Sequence, residues 1–586
     1  MPYTNDQIAD LLREVSQLMQ LAGENRFKVI AFDKAAQTIE GLQENIGDHI
    51  QNKTLTDIKG VGKSIAEDIY ALEETGQMPV LEAFKEKVPE GLIEWLNISG
   101  LGPKNAYKIH KELGISTIAE LKGKIDDGSV ASLSGLGQKS AEKIKKSIEW
   151  MEKFDERCRL DQAQEIASAI FESLKDLEGV QQIEVAGSYR RGLETIGDID
   201  ILIAAEEKYI DGLFEVFINH DRVTEVLGRG ETKSSVRTKE GRQVDLRIVS
   251  PVEFPAALMY FTGSKEHNIV LRQRARDRGM SLNEYGLFKL NNEGDTDFDQ
   301  PIEFSNESDI YKKLNLHFVP PELREDRGEF EIYEEQNEFD LVTNEDIRGV
   351  IHAHSTWSDG KYSIKEMAEA CMERGYEYLG LTDHSKTAAY AGGLSVDEIK
   401  QQWEEIDKLN EEFKEAGKNF VIFKGIESDI LSDGSLDYKN DILDGFDFVI
   451  ASVHQSLNMP REEMMERMRN AIKNPYTRIL GHPTGRLLLK RNGSDLDLNE
   501  LVTLAADHNT AIEINANPHR LDIDWRFGNK AREVGMMTSI NPDAHTTEGI
   551  DDIPYGVRIA RKGKYGKGRV LNTKSADEVR AFFEAR

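Results

Sequence analysis

HAHSTWSDG (352–360) places two histidines one residue apart in a chain that holds 13 histidines in 586 residues. An i, i+2 spacing puts His352 and His354 on one face of a strand, and Asp359 follows after a short loop. Alone, this is a weak metal-ligand pattern. Five later apolar runs end in the same chemistry. YLGLTDHS (378–385) ends in Asp383 and His384, VIFKGIESD (421–429) carries Glu427 near its end, and FVIASVHQS (448–456) carries His454. RILGHPTGR (478–486) carries His482, and MTSINPDAH (537–545) ends in Asp543 and His545. Past residue 347 such runs alternate with helical segments, which predicts a parallel β/α barrel. The active site of a barrel lies at the C-terminal mouth of its strands, so all six tips converge there. Mixed imidazole and carboxylate donors favour Mn²⁺, Zn²⁺ or Fe²⁺ over Mg²⁺. Converging ligands in this number suit a cluster of about three ions that activates water for attack on phosphorus. Arg486 and Arg520, in HPTGR and NPHR, are candidate phosphate clamps.

A second constellation lies upstream, in VAGSYRRGLETIGDIDILI (185–203). In the strand GDIDILI, Ile199, Ile201 and Ile203 face a core, so Asp198 and Asp200 share the other face. In RQVDLRIV (242–249), Val244, Leu246 and Ile248 face one way and Asp245 the other. Neighbouring carboxylates repel, and divalent cations are the usual counter-charge; three from two adjacent strands can hold two Mg²⁺ ions. Gly187 and Ser188, backed by Arg190 and Arg191, would grip a triphosphate.

Further upstream, IKGVGKSIAEDI (58–69), ISGLGPKNAYKI (98–109) and LSGLGQKSAEKI (133–144) repeat one pattern: an apolar residue, a Gly-x-Gly turn and an amphipathic helix. This is the helix-hairpin-helix signature. Gly60, Gly62, Gly100, Gly102, Gly135 and Gly137 permit the turns. Backbone N–H groups at the helix starts, with Lys63, Lys104 and Lys139 beside them, can hold DNA phosphates without reading bases.

The Gly-Ser and Asp-x-Asp elements resemble the nucleotidyltransferase superfamily. YFTGSKEHNIVLRQRARDRGMSLNEYGLF (260–288) narrows this, because it resembles the thumb of family X DNA polymerases. The resemblance covers residues 1–318. It implies that Tyr260, Phe261 and Gly263 contact the sugar, and that Asn268 and Arg272 contact the incoming nucleotide and the template strand; Asn283, Glu284 and Tyr285 complete the pattern. One departure is Arg242-Gln243, where the family has two basic residues before the third aspartate, which implies a weaker partner for Asp245. A second is Asp68, which aligns with the lysine that attacks an abasic sugar in eukaryotic members. The second half is similar to PHP-domain phosphoesterases, and the resemblance implies nine ligands: His352, His354, Asp359, His384, Glu427, His454, His482, Asp543 and His545.

Together these imply a multidomain α+β and α/β chain of the bacterial family X kind: a polymerase that fills short gaps in base excision repair, using Mg²⁺, fused to a metal-dependent 3′–5′ exonuclease. The implied partners are gapped or primer–template DNA and dNTPs, with no membrane, and the implied state is a monomer. Two alternatives stay open. The second half could be a small-molecule phosphatase, or the first half could deliver DNA to the nuclease without polymerising.

The bulk numbers agree. The chain is too long for one core. Cys158 and Cys371 are its only cysteines, and no basic, apolar leader opens it, which points to a cytoplasmic protein. The net charge of −31 discourages a nucleic-acid partner until it is resolved locally. Residues 101–150 carry nine basic against six acidic residues, and 265–289 carry six against three. Eleven acids fall between Glu322 and Asp346. The expected domains are a helical DNA-binding domain (1–80), fingers (81–150), palm (151–255), thumb (256–320), an acidic linker (321–346) and the PHP barrel (347–586).

Overall fold

The alternation in GDIDILI builds the strand that carries the first aspartates. In the computed structural model, strand Asp198–Ala204 buries Ile199, Ile201 and Ile203 on one face, and Leu202 and Ala204 on the other. The second face is covered by Phe254, Ala257 and Leu258 of helix Phe254–Thr262. Asp198 and Asp200 lie on that same face. The structure describes all residues except Met1, Pro2, Thr4, 41–45, Lys59, Glu90, Asn97, Ser99, Gly100, Glu156, 332–339 and Arg586. Gly100 and part of the expected linker therefore lie outside the described residues.

Contacts divide the chain into two units, residues 1–155 and 156–586. The first is helical, and one apolar core runs from Ile8 through Trp95 to Ile148, so the expected DNA-binding and fingers segments share a core. The hairpins recur in detail. Val61 N–H donates to Ile58 O (3.0 Å), Leu101 to Ile98 (3.0 Å) and Leu136 to Leu133 (2.9 Å). Gly60 (φ 99°) and Gly135 (φ 83°) adopt the left-handed backbone that a side chain disfavours. The apolar residue of each turn is buried, while Gly62, Gly102 and Gly137 and the lysines after them are exposed.

In the second unit, β1 (Cys158–Arg159) pairs with β3 (Thr195–Ile196). A five-stranded sheet runs in the order β2 (Gln182–Val185), β4 (Asp198–Ala204), β7 (Gln243–Val249), β6 (Lys233–Thr238), β5 (Val223–Arg229). β4 and β7 are parallel neighbours. A three-stranded antiparallel sheet follows, with β9 (Gly286–Leu290) between β8 (Met280–Asn283) and β10 (Thr296–Pro301).

Seven parallel strands then run in chain order: β11 (Gly349–Ala353), β12 (Tyr378–Leu381), β13 (Val421–Asp429), β14 (Phe448–Ser452), β15 (Thr477–Leu480), β16 (Ala511–Asn515) and β17 (Thr538–Asn541). Beyond the ends of β11 and β17, Ala353 bridges Ala544, and His354 N–H donates to Ala544 O at 2.8 Å. At the other end Asn572 is wedged between the same strands, reaching Gly349 O (3.2 Å) and Ile540 N (2.7 Å). Helix Ala576–Glu584 seals that end, with Phe583 stacked on Phe448 at 4.3 Å. The distorted barrel is as expected.

Residues 321–331, the first part of the expected acidic linker, are packed into the second unit. Arg324 is fully buried against Glu307 (2.8 Å), Glu329 is fully buried on His267 (2.7 Å), and Glu322 pairs with Arg561 (2.6 Å). The counter-charges come from distant parts of the chain, so local composition mimics a solvated linker.

Candidate metal centres and nucleotide pocket

Parallel pairing of β4 with β7 sets Asp200 directly opposite Asp245. Asp198, Asp200 and Asp245 each offer an oxygen within 4.8 Å of the others. Burial and the charges of Asp198 and Asp245 push Asp200 up to about 7. Asp245 is held below its ordinary value: burial opposes ionisation, but Lys233 (2.6 Å), Ser235 and Gln243 (3.0 Å) overcome it. Gln243 thus does partner the third aspartate, and the cation comes from Lys233 on β6. Reading the sequence missed Lys233, because only sheet order places it there. The backbone of Gly187 (φ 61°) passes so close that a Cβ would lie 2.3 Å from Asp200 Oδ2. Only glycine fits.

Beside the triad opens a cavity of about 520 Å³. Gly187, Ser188, Arg191, Asp198, Asp200, Tyr260, Phe261, Gly263, Asn268 and Arg272 line it, together with Lys265 and Ile269, which the sequence reading did not single out. Arg190 is the exception. Expected on a triphosphate, it instead forms a fork to Glu307 (3.0 and 2.6 Å) and donates to Thr262 Oγ1 (2.8 Å). A half-buried guanidinium matched to a carboxylate in this way ties palm to thumb.

At the barrel mouth the nine expected ligands converge. Glu427 is central: its oxygens lie 3.4 Å from His352, 3.8 Å from His354, 2.8 Å from His384, 3.3 Å from His454 and 3.0 Å from His482. Asp543 reaches His354 at 3.2 Å, and Asp359 reaches His384 at 3.5 Å and His545 at 3.3 Å. Three groups could hold an ion: His354, Asp359, His384 and His545; His352, His354 and Asp543; and His384, Glu427 and His454. His352 and His354 do not meet by simple strand alternation. His352 has φ 73° and sits at a register shift beside β12, and Asp543 has φ 54°. Left-handed backbone at two non-glycine ligands is strain concentrated at a site.

The donors fit metal. His352 Nε2 and His354 Nδ1 are buried without a hydrogen-bond partner, 3.4 Å from Glu427 and 3.8 Å from Asp359 respectively. Orphans of this kind, aimed into one space, call for cations. Without metal, protons balance the carboxylates. Burial opposes protonation of His384 and His454, yet Glu427 with Asp359 lifts His384 to about 11, and Glu427 with Asp429 lifts His454 to about 9. His354, buried and facing His545 and His384, is lowered to about 3.

The sequence matches follow this geometry. Residues 3–78 match a helix-hairpin-helix domain and 92–149 a SAM-like helix-hairpin-helix tandem. Residues 158–237 match the DNA polymerase beta palm, 257–325 the DNA polymerase beta thumb and 351–517 the PHP domain. Over 579 residues, 98% of this chain and 99% of the relative, the sequence is 40% identical to the Bacillus subtilis (strain 168) protein called "DNA polymerase/3′-5′ exonuclease PolX". The chain belongs to the PolX family of DNA polymerases. Rattus norvegicus "DNA polymerase lambda" is 26% identical over 341 residues, 55% of this chain and 56% of its own. A "Probable phosphatase" of Caldanaerobacter subterraneus subsp. tengcongensis is 27% identical over 253 residues, 40% of this chain and 89% of its own. The domain matches to palm and PHP stop at residues 237 and 517, ahead of Asp245, Asp543 and His545, which the fold brings in.

Around the barrel cluster stand residues the sequence reading missed. Glu513, fully buried on β16, accepts from His352 Nδ1 (2.6 Å), His482 N (2.6 Å), Asn541 Nδ2 (2.8 Å) and Asn515 Nδ2 (3.2 Å). Asp429 takes His454 Nδ1 at 2.8 Å. These carboxylates turn the opposite ring nitrogen toward the cluster. An acid inside the apolar strand AIEIN was the available signal. The two expected clamps divide. Arg520 faces the cluster, 3.7 Å from Asp543. Arg486 does not: it donates to Arg520 O (2.9 Å), to Leu521 O and to Asp524 (3.1 Å), so its donors brace a loop.

Proposed function

We propose that this protein fills short gaps in DNA during base excision repair and trims 3′ ends with its barrel. The observation that carries this reading is the pairing, in one chain, of a carboxylate triad bordering a cavity of about 520 Å³ with nine converging barrel ligands. In the palm, Asp198, Asp200 and Asp245 would hold Mg²⁺, which supplies charge to the attacking and departing oxygens. The amides of Gly187 and Ser188, with Arg191, receive the triphosphate. Tyr260, Phe261 and Gly263 border the sugar, and Asn268 and Arg272 address nucleotide and template. Lys63, Lys104 and Lys139 and the hairpin turns hold DNA by its backbone.

At the barrel mouth the nine ligands would hold Mn²⁺, Zn²⁺ or Fe²⁺, whose chemistry is to polarise phosphate and acidify water. Arg520 would meet a substrate phosphate, a role supported by its position 3.7 Å from Asp543, while Glu513 and Asp429 orient His352 and His454. The phosphatase relative, which matches 40% of this chain over 89% of its own length, supports a second reading, a small-molecule phosphoesterase. We further propose a monomer working in the cytoplasm; both cysteines are buried and free, as a reducing compartment allows. Extension and degradation on one gapped substrate, with Mg²⁺ and Mn²⁺ compared, test the assignment. Asp198→Ala with Asp200→Ala abolishes dNTP incorporation and leaves trimming, and His352→Ala with His354→Ala does the reverse. Loss of trimming in the folded palm variant would move the nuclease to the palm.

A further inference from the structure

Lys562 closes helix Ile553–Lys562 of the barrel half, and its side chain is 0% exposed. Burying an ammonium costs several kcal/mol unless each donor is matched. Here three acceptors serve its three N–H groups: Glu325 Oε1 (2.5 Å), Arg191 O (3.1 Å) and Glu322 O (3.2 Å). The ammonium also lies over the Trp525 ring at 4.5 Å. Replacing a buried ion pair by apolar residues is often neutral or stabilising, so stability alone is a weak account of this arrangement.

What the lysine touches is informative. Arg191 lines the nucleotide cavity, and its guanidinium is held by Glu325 (3.0 Å) and Thr262 O (2.5 Å). Glu325 therefore bridges Arg191 and Lys562. One turn earlier on the same helix, Arg558 donates to Tyr189 O at 2.6 Å. The turn Gly187–Arg190 opens on the cavity with Gly187 and Ser188, and the carbonyls of Tyr189 and Arg191 behind it are gripped by the barrel half. Nearby, Trp525 Nε1 and Arg526 each donate to Glu194 at 3.1 Å.

We propose that Lys562 is a positioning residue of the nucleotide pocket: from the barrel half it fixes Arg191 and the preceding turn in the geometry that receives a triphosphate. This rests on the polymerase reading of the palm. Removing the ammonium leaves Arg191 O without this donor and Glu325 with Arg191 as its remaining cation. The surplus carboxylate then draws the Arg191 guanidinium away from the cavity.

Single-nucleotide gap filling by the full-length protein tests this, with dNTP titrated and pyrophosphate as competing inhibitor. For Lys562→Met, KM for dNTP and the inhibition constant of pyrophosphate rise together by about tenfold, about 1.4 kcal/mol. The kcat changes far less, and 3′ trimming stays at the wild-type rate. Adding Glu325→Gln removes the surplus charge, so the double variant is no worse than the single one. Should Lys562→Met not fold, Glu325→Gln alone carries the test, because it removes the carboxylate that anchors both Lys562 and the Arg191 guanidinium; the same joint rise is expected. Unchanged KM and pyrophosphate inhibition in a variant that still trims overturns the proposal. So does a parallel fall of trimming and extension, which is mere destabilisation. Wild-type protein that extends no primer sinks the polymerase reading itself, before any variant is compared.

Discussion

Glu513→Gln is the most informative single change at the barrel mouth, because it preserves shape and reverses one hydrogen-bonding group. All four partners of Glu513 are donors: His352 Nδ1–H and Asn541 Nδ2 face Oε1, and His482 N–H and Asn515 Nδ2 face Oε2. A glutamine must turn its NH₂ toward one of these pairs. Facing His482 N, it opposes a backbone donor that cannot change. Facing His352, it forces the imidazole to accept at Nδ1 and carry its proton on Nε2. Nε2 is the nitrogen now buried and unpartnered, 3.4 Å from both Glu427 and Asp543. Either outcome disturbs a ligand strand. Loss of such a partner typically weakens metal affinity ~10–100-fold, equivalent to about 1.4–2.8 kcal/mol. The assay is 3′ trimming against Mn²⁺ concentration, with bound metal measured on the same samples. The midpoint moves to higher Mn²⁺ by that factor, saturating metal restores most of the rate, and dNTP incorporation is unchanged. A midpoint within twofold of wild type would refute the claim that Glu513 sets the His352 tautomer.

Metal demand depends on pH differently at the two centres. Metal must displace protons, so affinity rises with pH until the ligands have lost theirs. In the palm the Mg²⁺ needed for half-maximal extension falls up to about pH 7, where Asp200 ionises, then levels; in the barrel metal demand keeps falling past pH 9, because His454 and, higher still, His384 must first lose a proton. Coincident profiles would contradict this. The first hairpin shows no 5′-deoxyribose-phosphate lyase activity, because a carboxylate cannot form an imine and Asp68 is occupied by Val80 N–H at 3.2 Å. Borohydride trapping on an incised abasic substrate checks it, and trapping lost in Lys63→Ala would reverse the conclusion. DNA affinity falls steeply with salt and varies little with sequence. Replacing Lys63, Lys104 and Lys139 by Ala flattens the log–log salt slope by ~0.9 for each phosphate that is no longer neutralised. An unchanged slope would remove those lysines from the DNA interface.

How much of this was legible depends on the range of the interaction. Ile199, Ile201 and Ile203 alternate with Asp198 and Asp200, and burial follows that alternation from Asp198 to Ile201, beyond which both faces are buried. The barrel ligands were visible for a related reason: an apolar run whose tip turns to His, Asp or Glu marks a strand end, and parallel barrel strands share one mouth. The hairpins were legible because their turn chemistry is local. Charge pairing is not local. Lys233 serves Asp245 across a strand pair, and Glu513 serves His352 from 161 residues away. Arg190 turns to Glu307 and Arg486 to the loop that follows the next strand, although both sit beside site motifs. The packing of the acids of 321–331 was hidden for the same reason, since their partners Arg561 and His267 lie far off in the chain. The sequence by itself determined which strands form and which tips carry ligands, because backbone geometry imposes periods that side chains must obey. Only the tertiary structure decided which charges are spent on each other and which face a substrate, because an ion pair needs proximity in space and leaves no period in the chain.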